Sequence, residues 1–244
     1  NKNTIPSITI PPASLKNDQI ISRTVWLNNT KTKFEKAITE IYVIASGFRL
    51  PNNLDILEVG FGNGELLPYL SKKNRVMGVE LNEQLVKKAN KQGINSFNSI
   101  NKIQNSFDII IAFDVCEHMD YSELLPFFEW LSNHLNQDGM VYLRFPEGGS
   151  PFGLLNQNGD FTHKTPITQE KIRALCGGKN LRILRYFDDD LIPSNKLSRL
   201  GLVGKLIILL MQYYSKASKT IIKIIFYPLF GEINLATNSI VIIK

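Results

Sequence analysis

Short apolar runs alternate with stretches of helical periodicity through most of this chain. The runs are rich in Ile, Val, Leu and Phe, as expected of strands that are buried on both faces. In the stretches between them, apolar residues recur three and four positions apart, which is typical of helices that cover such a sheet. The pattern therefore predicts an α/β fold with a seven-stranded, mostly parallel sheet.

The apolar runs place the seven strands. They are predicted at Asp55–Val59, Arg75–Val79, Ile94–Phe97, Phe107–Phe113, Gly139–Phe145, Leu181–Phe187 and Ser239–Ile243. The helical periodicity predicts one helix that ends at Leu70. It predicts three further helices at Glu83–Lys91, Tyr121–Leu135 and Thr168–Cys176. Gly177 and Gly178 end the last of these helices, as glycine does in a left-handed C-terminal cap. A turn is predicted at Asn136–Gly139 and a glycine-rich loop at Pro146–Asp160.

The same pattern divides the chain into four segments. Residues 1–53 hold an extended arm and a helix at Trp26–Phe48, and residues 54–191 form the core. A basic, apolar helical insertion at 192–232 precedes the last strand, which returns to the core at 233–244. The apolar runs of the insertion are shorter than the ~20 residues that span a bilayer. Lys205 and Lys223 also interrupt them, so either an interfacial membrane helix or a packed helical cap is predicted there.

Composition adds little about the fold and something about partners. The 244 residues are 43 % hydrophobic, and the net charge of +6 favours anionic partners such as glycan phosphates or lipid headgroups. Two distant cysteines, Cys116 and Cys176, predict a reducing compartment, and the first 22 residues lack the apolar core of a secretory signal. We therefore expect a cytoplasmic protein, with peripheral contact to the inner face of the membrane left open. The oligomeric state is not predicted.

A glycine turn follows the first strand. Gly60, Gly62 and Gly64 allow positive φ and let a ligand approach the backbone, and the next helix presents free N–H groups. Glu58 lies two residues before the first glycine, and Glu80 ends the second strand, where a carboxylate accepts hydrogen bonds from ribose hydroxyls. The turn lacks the last small residue of the dinucleotide-binding pattern G-x-G-x-x-G.

The segment Ile56–Leu67 resembles motif I of class I S-adenosylmethionine (SAM) dependent methyltransferases, and the likeness continues through Val79-Glu80 and Phe107–His118. The resemblance implies a Rossmann-like fold with SAM as cofactor. It implies that the following residues line the cofactor: Glu58, Gly60, Phe61, Gly62, Gly64, Glu80, Leu81, Asn98, Phe113 and Asp114.

Two histidines stand where chemistry is expected. His118 follows the fourth strand, and His163 lies in the loop after the fifth, so both are predicted at the carboxyl edge of the sheet. Asp114, Glu117, His118 and His163 resemble the set that holds a divalent cation such as Mg²⁺ or Mn²⁺ in metal-assisted O-methyltransferases. A metal-free histidine base, with His163 and His118 as catalytic residues, is the second interpretation, and a structural role of the histidines is the third.

The loop from Arg144 to His163 resembles that of methyltransferases of bacterial surface-polysaccharide biosynthesis. It is rich in Gly, Asn and Gln and carries Phe152 and Phe161, which suits a sugar; a generic active-site lid is the alternative. The resemblance implies O-methylation of a sugar hydroxyl in a surface glycan or its lipid-linked precursor. A quinone-type phenol, an RNA 2′-hydroxyl and a non-catalytic SAM-binding domain are the alternatives. Only scattered lysines speak for nucleic acid, which is therefore not expected as a partner.

Overall fold

The computed structural model describes residues 52–64, 66–188, 216–225 and 234–244, together with Leu206, Leu210, Tyr213 and Tyr214. The predicted N-terminal arm and the helix Trp26–Phe48 lie outside the described residues, as does much of the predicted insertion at 192–232. Of the helices that the structure describes, none is long and apolar enough to cross a membrane.

The core consists of seven strands and the helices between them. The strands are β1 (Asp55–Val59), β2 (Arg75–Val79), β3 (Asn95–Phe97), β4 (Phe107–Phe113), β5 (Leu135–Pro146), β6 (Ile183–Asp188) and β7 (Asn238–Ile243). The helices are α1 (Leu67–Leu70), α2 (Glu83–Lys91), α3 (Tyr121–Asn133), α4 (Gly153–Gly159) and α5 (Gln169–Cys176). Short 3₁₀ helices occupy Ile100–Lys102 and Cys116–His118.

All strands lie in one sheet with the order β3-β2-β1-β4-β5-β7-β6. The five strands β1–β5 pair in parallel, and β7 runs antiparallel to both β5 and β6. This confirms the predicted seven-stranded, mostly parallel, Rossmann-like sheet. The strand order reverses between β1 and β4, and ligands of open α/β sheets bind at the carboxyl ends of the strands at such a reversal.

The central strands are buried on both faces, as their continuous apolar runs predict. Leu57 of β1 and Ile110 of β4 pack in one cluster, which also takes in side chains of α3 and α5. Ile56 and Ile109, one position earlier on the same strands, pack in a second cluster on the other face. The core therefore lies on both sides of the sheet and holds the carboxyl ends of β1 and β4 in fixed positions.

The turn predicted at Asn136–Gly139 is wrong. Strand β5 begins at Leu135, which pairs with Phe107, and the next register pair is Ile109 with Met140. The polar residues between these pairs form a bulge rather than a turn, and a Cβ on Gly139 would lie 2.8 Å from the carbonyl oxygen of Phe107. Helix α3 consequently ends at Asn133, two residues before its predicted end.

The loop after β5 is partly helical. The sequence predicts a glycine-rich loop over Pro146–Asp160, and the structure has helix α4 within it. The chain turns so tightly here that a Cβ on Gly153 would lie 2.1 Å from the carbonyl oxygen of Glu147. Helix α5 starts after Thr168, whose side chain accepts a hydrogen bond from the backbone N–H of Lys171. Strands β3 and β6 differ from their predicted ends by one or two residues.

Candidate active site

The glycine turn after β1 has the backbone that its sequence predicts. Gly60, Gly62 and Gly64 have φ values of +71°, +53° and +72°, in the left-handed region that favours glycine. A Cβ on Gly60 would lie 2.5 Å from Cγ2 of Val115, so that position admits no side chain. A Cβ on Gly62 would meet no atom within 4 Å. The turn thus packs against the segment after β4 at one glycine and faces open space at another.

Glu80 ties this turn to the end of β2. Its Oε2 accepts a hydrogen bond from the backbone N–H of Gly62 at 2.9 Å, and its Oε1 accepts one from that of Asn82 at 3.0 Å. The side chain is buried. Because a carboxylate has about four lone-pair positions, two remain for further donors. Glu80 therefore fixes the shape of the turn and keeps acceptor capacity toward a ligand.

Glu58 is a buried carboxyl group at the end of β1. Its Oε2 has no hydrogen-bond partner among the described residues. Burial and, to a smaller extent, the nearby charge of Glu80 together raise the pKa of Glu58 to about 8. A buried, unpartnered carboxyl oxygen is unfavourable. A cationic group placed beside it would relieve both effects, so the site is built for a ligand with a positive charge at this point.

Asp114 follows β4 and is held by an arginine. It has a φ of +55°, which is uncommon for a residue other than glycine. Nε of Arg144 donates to Oδ1 of Asp114 at 3.1 Å, and Nη2 of Arg144 donates to Oδ2. The guanidinium also lies over the ring of Phe113, 5.6 Å from its centroid. These contacts fix the backbone where β4 ends and turns toward the histidine segment.

His118 and His163 meet at this edge of the sheet. Their ring centroids are 4.7 Å apart with the planes at 68°. Nε2 of His163 lies 3.9 Å from Oε1 of Glu117 and 3.9 Å from Oδ2 of Asp160. The Glu117 side chain is almost fully buried. The ligand atoms of Glu117, His118 and His163 all lie within 4.8 Å of one another. Two imidazoles and two carboxylates are thus brought together.

Hydrogen bonds assign the tautomers of both rings. Nδ1 of His163 lies 3.1 Å from the carbonyl oxygen of Gln157, which can only accept, so Nδ1 carries the proton. Nδ1 of His118 lies 3.1 Å from the carbonyl oxygen of Thr162 and 3.0 Å from its Oγ1. That hydroxyl donates to Oδ1 of Asp160 at 2.6 Å, so the ring donates to it. In neutral form both histidines therefore carry their lone pair on Nε2.

Asp160 is ionised in this arrangement. Burial raises the pKa of Asp160, but hydrogen bonds from the side chain and the backbone N–H of Thr162 outweigh that effect. The charges of His163 and His118 add to the lowering, and the net result is a pKa below the ordinary value. Asp160 thus supplies a negative charge beside His163 over the whole neutral range.

Comparison with known proteins agrees with this geometry. Residues 31–185 match the family described as "Methyltransferase domain", which is more than half of the chain. The chain belongs to this methyltransferase family. No curated protein sequence matches it significantly.

Solved structures of the same fold support the assignment. A SAM-dependent methyltransferase from Archaeoglobus fulgidus is 18 % identical, with a TM-score of 0.58 and coverage of 88 % of this chain and 94 % of that one. One from Clostridium acetobutylicum is 15 % identical, with a TM-score of 0.59 and coverage of 92 % and 98 %. The plantazolicin methyltransferase is 17 % identical, with a TM-score of 0.56 and coverage of 95 % and 91 %. Family and fold together confirm the prediction of a SAM-dependent methyltransferase.

The remaining predicted site residues of the methyltransferase take different positions. The Phe61 ring packs in the core against Gly78, where an added Cβ would lie 2.7 Å from it. Leu81 is half-buried against the main core. Asn98 is half-buried after β3, where its Oδ1 accepts from Lys102 Nζ at 2.8 Å. Their contact with a cofactor stays a prediction.

Asp114 stands apart from the other predicted metal ligands. The group of potential ligands found among the described residues contains Glu117, His118 and His163, whereas Asp114 is bound to Arg144. No sequence motif indicates a role for Asp160, which the structure places beside the histidines. The spacing Asp-x-Thr before His163 is typical of a turn in which the aspartate accepts from the residue two positions later, and this signal was available.

Glu147 is a further buried carboxylate that no motif indicates. It follows β5 directly and accepts hydrogen bonds from the hydroxyl of Tyr186, from Ser239 Oγ at 2.6 Å and from the Gly149 N–H at 2.9 Å. Burial raises the pKa of Tyr186, as does its hydrogen bond to Glu147. The contacts join β6 and β7 to the start of the loop that carries His163. Glu147 therefore positions this loop.

Proposed function

We propose that this methyltransferase methylates a hydroxyl group, a sugar hydroxyl of a surface glycan or of its lipid-linked precursor, with His163 as the general base. The pairing of His163 with His118 at the carboxyl edge of the sheet carries the proposal. Hydroxyl groups are poor nucleophiles unless a base removes their proton, and an imidazole is suited to that task near neutral pH.

The residues around the glycine turn fit SAM. The buried Oε2 of Glu58, which has no hydrogen-bond partner among the described residues, receives the cationic amino group of the methionine part. Glu80 retains acceptor positions for the ribose hydroxyls, and the space at Gly62 leaves the backbone open to the ligand. SAM, when bound, supplies a methyl group on a positively charged sulfur. The protein's own task is then to place and deprotonate the acceptor.

His163 performs the proton transfer. As the acceptor oxygen forms its bond to the methyl carbon and the carbon–sulfur bond breaks, the hydroxyl proton moves to Nε2 of His163. The resulting imidazolium is stabilised by Glu117 and Asp160, each with an oxygen 3.9 Å from that nitrogen. The hydrogen bond to Gln157 keeps the ring in the tautomer that accepts at Nε2. His118 packs edge-on against the same ring and fixes its plane.

The loop beside His163 presents the acceptor surface. It exposes four apolar side chains, and Phe161 is 98 % exposed two residues before the base. Sugars offer an apolar ring face and many hydroxyls, and the polar residues Asn156, Asn158 and Asp160 lie between Leu155 and Phe161 in this loop. The exposed apolar residues are Phe152, Leu154, Leu155 and Phe161. Aromatic surface together with short polar side chains supports a carbohydrate acceptor.

A divalent cation such as Mg²⁺ or Mn²⁺ is the second candidate for the role of this cluster. The cluster offers one carboxylate oxygen, from Glu117, and two imidazole nitrogens, from His118 and His163. These three atoms all lie within 4.8 Å of one another. Ligands bound at ~2.1 Å lie at most ~4.2 Å apart, so a cation requires only a small contraction of the group. Such an ion, held by these three residues, would lower the pKa of a hydroxyl bound to it and would replace the histidine as the activating group.

Radiolabelled methyl transfer tests the proposal. The protein is incubated with methyl-labelled SAM and, separately, with nucleotide sugars, lipid-linked glycans, finished polysaccharide, a catechol-type phenol and a short RNA. We expect label in a carbohydrate fraction, in a form stable to mild alkali as an ether is. Label in the phenol or in RNA 2′-positions would show that the acceptor is that compound rather than a sugar. SAM binding without label in any fraction would instead support a non-catalytic SAM-binding domain.

A further inference from the structure

Helical residues that follow the core turn large apolar side chains toward solvent. Residues 216–225 are helical, as are the four single positions described before them. Seven apolar side chains in this segment are between 56 % and 75 % exposed, and we call them the outward face: Leu206, Leu210, Tyr213, Tyr214, Ile221, Ile224 and Ile225. Apolar side chains of this size are ordinarily buried, so the outward face needs an occupant.

Three of the seven side chains share one side of the helical stretch 216–225. At about 100° per residue, the positions of Ile221, Ile224 and Ile225 fall within an arc of about 100°. On the opposite side of this stretch, Lys219 is half-buried. Nζ of Lys219 lies 3.8 Å from Oδ2 of Asp188, the last residue of β6. Three of the four isoleucines in this stretch thus face solvent while Lys219 faces the protein, the reverse of a helix that covers a core.

The charge of the sequence segment that contains the outward face identifies its occupant. Residues 191–231 contain no Asp or Glu and six basic residues. These are Lys196, Arg199, Lys205, Lys216, Lys219 and Lys223. Without these six, the 28 basic residues of the chain fall to 22, equal to its 22 acidic residues. The entire net charge of +6 therefore belongs to the segment that carries the exposed apolar side chains.

We propose that the outward face lies in the surface of an anionic membrane. Apolar side chains enter the boundary between headgroups and acyl chains, tyrosines occupy the interface, and lysines reach anionic headgroups. A second copy of the chain would bring two basic segments together without acidic partners inside them, which disfavours self-association. The proposal depends on exposure and charge alone, so it holds for any acceptor of the methyl group.

Vesicle flotation of the full chain tests the proposal. The vesicles are phosphatidylcholine with or without phosphatidylglycerol, at low and at high salt. We expect flotation with the anionic vesicles at low salt, at least about tenfold weaker with neutral vesicles, and a large loss at high salt. Replacing Ile221 and Ile224 by Gln is expected to weaken binding about tenfold or more. The control variant, Leu125→Gln, changes an exposed apolar residue of α3 and keeps wild-type flotation.

Substitution of lysines separates the electrostatic contribution to membrane binding from the contribution of the apolar side chains. Lys216→Gln with Lys223→Gln should reduce binding to anionic vesicles, whereas Lys88→Gln with Lys91→Gln on α2 should not. Absence of flotation at low salt, or flotation that the apolar variant leaves unchanged, overturns the proposal. If the wild type does not float and is a dimer, and if the Ile221→Gln, Ile224→Gln variant is a monomer, the outward face binds a second copy of the chain instead. S-adenosylhomocysteine affinity, measured on each variant, shows that the core is folded and is independent of the outcome.

Discussion

The rings of His118 and His163 pack edge to face, with their centroids 4.7 Å apart, although 45 positions separate the two residues in the chain. Backbone contacts produce this meeting. The N–H groups of Lys164 and Thr165 both donate to the carbonyl oxygen of Glu117, at 2.7 Å and 3.1 Å. The hydroxyl of Thr165 also donates to the carbonyl oxygen of Met119 at 2.7 Å. These hydrogen bonds hold the loop after β5 against the segment after β4. The backbone of the fold therefore brings the two histidines together.

Replacing the proposed base should remove turnover and spare cofactor binding. We expect His163→Ala to lower kcat by at least about 100-fold, because a general base contributes roughly 10²–10⁴. Affinity for S-adenosylhomocysteine should stay within a few fold, because the glycine turn is unchanged. The measurements are labelled methyl transfer and calorimetric binding.

His134 offers a matched control for this variant. Its Nδ1 also lies near a carbonyl oxygen, that of Trp130 at 2.8 Å, but it follows α3 at the amino edge of the sheet. The backbone N–H of Phe107, at the start of β4, donates to the carbonyl oxygen of His134. His134→Ala should therefore leave kcat near the wild-type value. Equal loss in both variants would mean a general structural effect, and full activity of the His163 variant would remove this residue from the mechanism.

Metal removal distinguishes the base from a cation. With His163 as base, dialysis against EDTA should leave the rate of methyl transfer unchanged, and added Mg²⁺ or Mn²⁺ should not raise it. A rate that falls on dialysis and returns with one of these ions would show that Glu117, His118 and His163 act as ligands. The His163→Ala protein, assayed with and without the ion, is the control for nonspecific effects of the chelator.

A methyl group on Gly62 probes the open space at the turn, where we propose that the cofactor binds. A Cβ there meets no protein atom within 4 Å, so a steric effect of Gly62→Ala arises from what binds. Its φ of +53° costs about 1 kcal/mol of stability for a non-glycine residue. We expect S-adenosylhomocysteine to bind at least about tenfold more weakly, a loss of about 1.4 kcal/mol.

Gly93 provides the comparison. It follows α2 with a φ of +80°, and an added Cβ there also meets no atom within 4 Å. Gly93→Ala should therefore show a similar fall in melting temperature with unchanged binding. If both variants bind S-adenosylhomocysteine as the wild type does, the open space at Gly62 is not the cofactor site.

The strands and the glycine turn were predictable from sequence because they depend on local signals. β1, β2 and β4 have the predicted bounds, since a short, mostly apolar run marks each of them. The start of β5 was not predictable in this way. Its polar residues resemble a turn, and only their pairing partner on β4 makes them a bulge. Register is a relation between two strands, and one strand's residues do not contain it.

The candidate site shows the same division. The glycines and Glu80 follow strands whose ends are evident, so their neighbourhood could be predicted from strand order. The partners of the histidines could not. Asp160 reaches His163 through the path of a loop, and Arg144 takes Asp114 out of the predicted ligand set through a contact across two strands. Such contacts depend on side-chain direction in three dimensions, which spacing along the chain does not encode.

The buried carboxyl of Glu58 gives the cofactor site a proton-linked signature. In the free protein its pKa is about 8, against an ordinary 4.5, so the carboxyl is mostly protonated at neutral pH. Pairing with a ligand ammonium requires the ionised form. Binding of S-adenosylhomocysteine near pH 7 should therefore release close to one proton from Glu58. Calorimetry in buffers of different ionisation enthalpy measures this number, and Glu58→Gln should release none while binding more weakly.

The same group makes the ligand-free protein less stable at high pH. Its folded-state pKa is raised, so its contribution to stability is complete below about pH 4.5 and is lost as pH rises through about 8. The loss is on the order of 5 kcal/mol at most. Without ligand, Glu58→Gln should thus melt near the wild-type temperature at about pH 5 and above it at about pH 9. A variant that melts below the wild type at high pH, or that releases the same proton on binding, would show that the carboxyl is already ionised and compensated in the free protein.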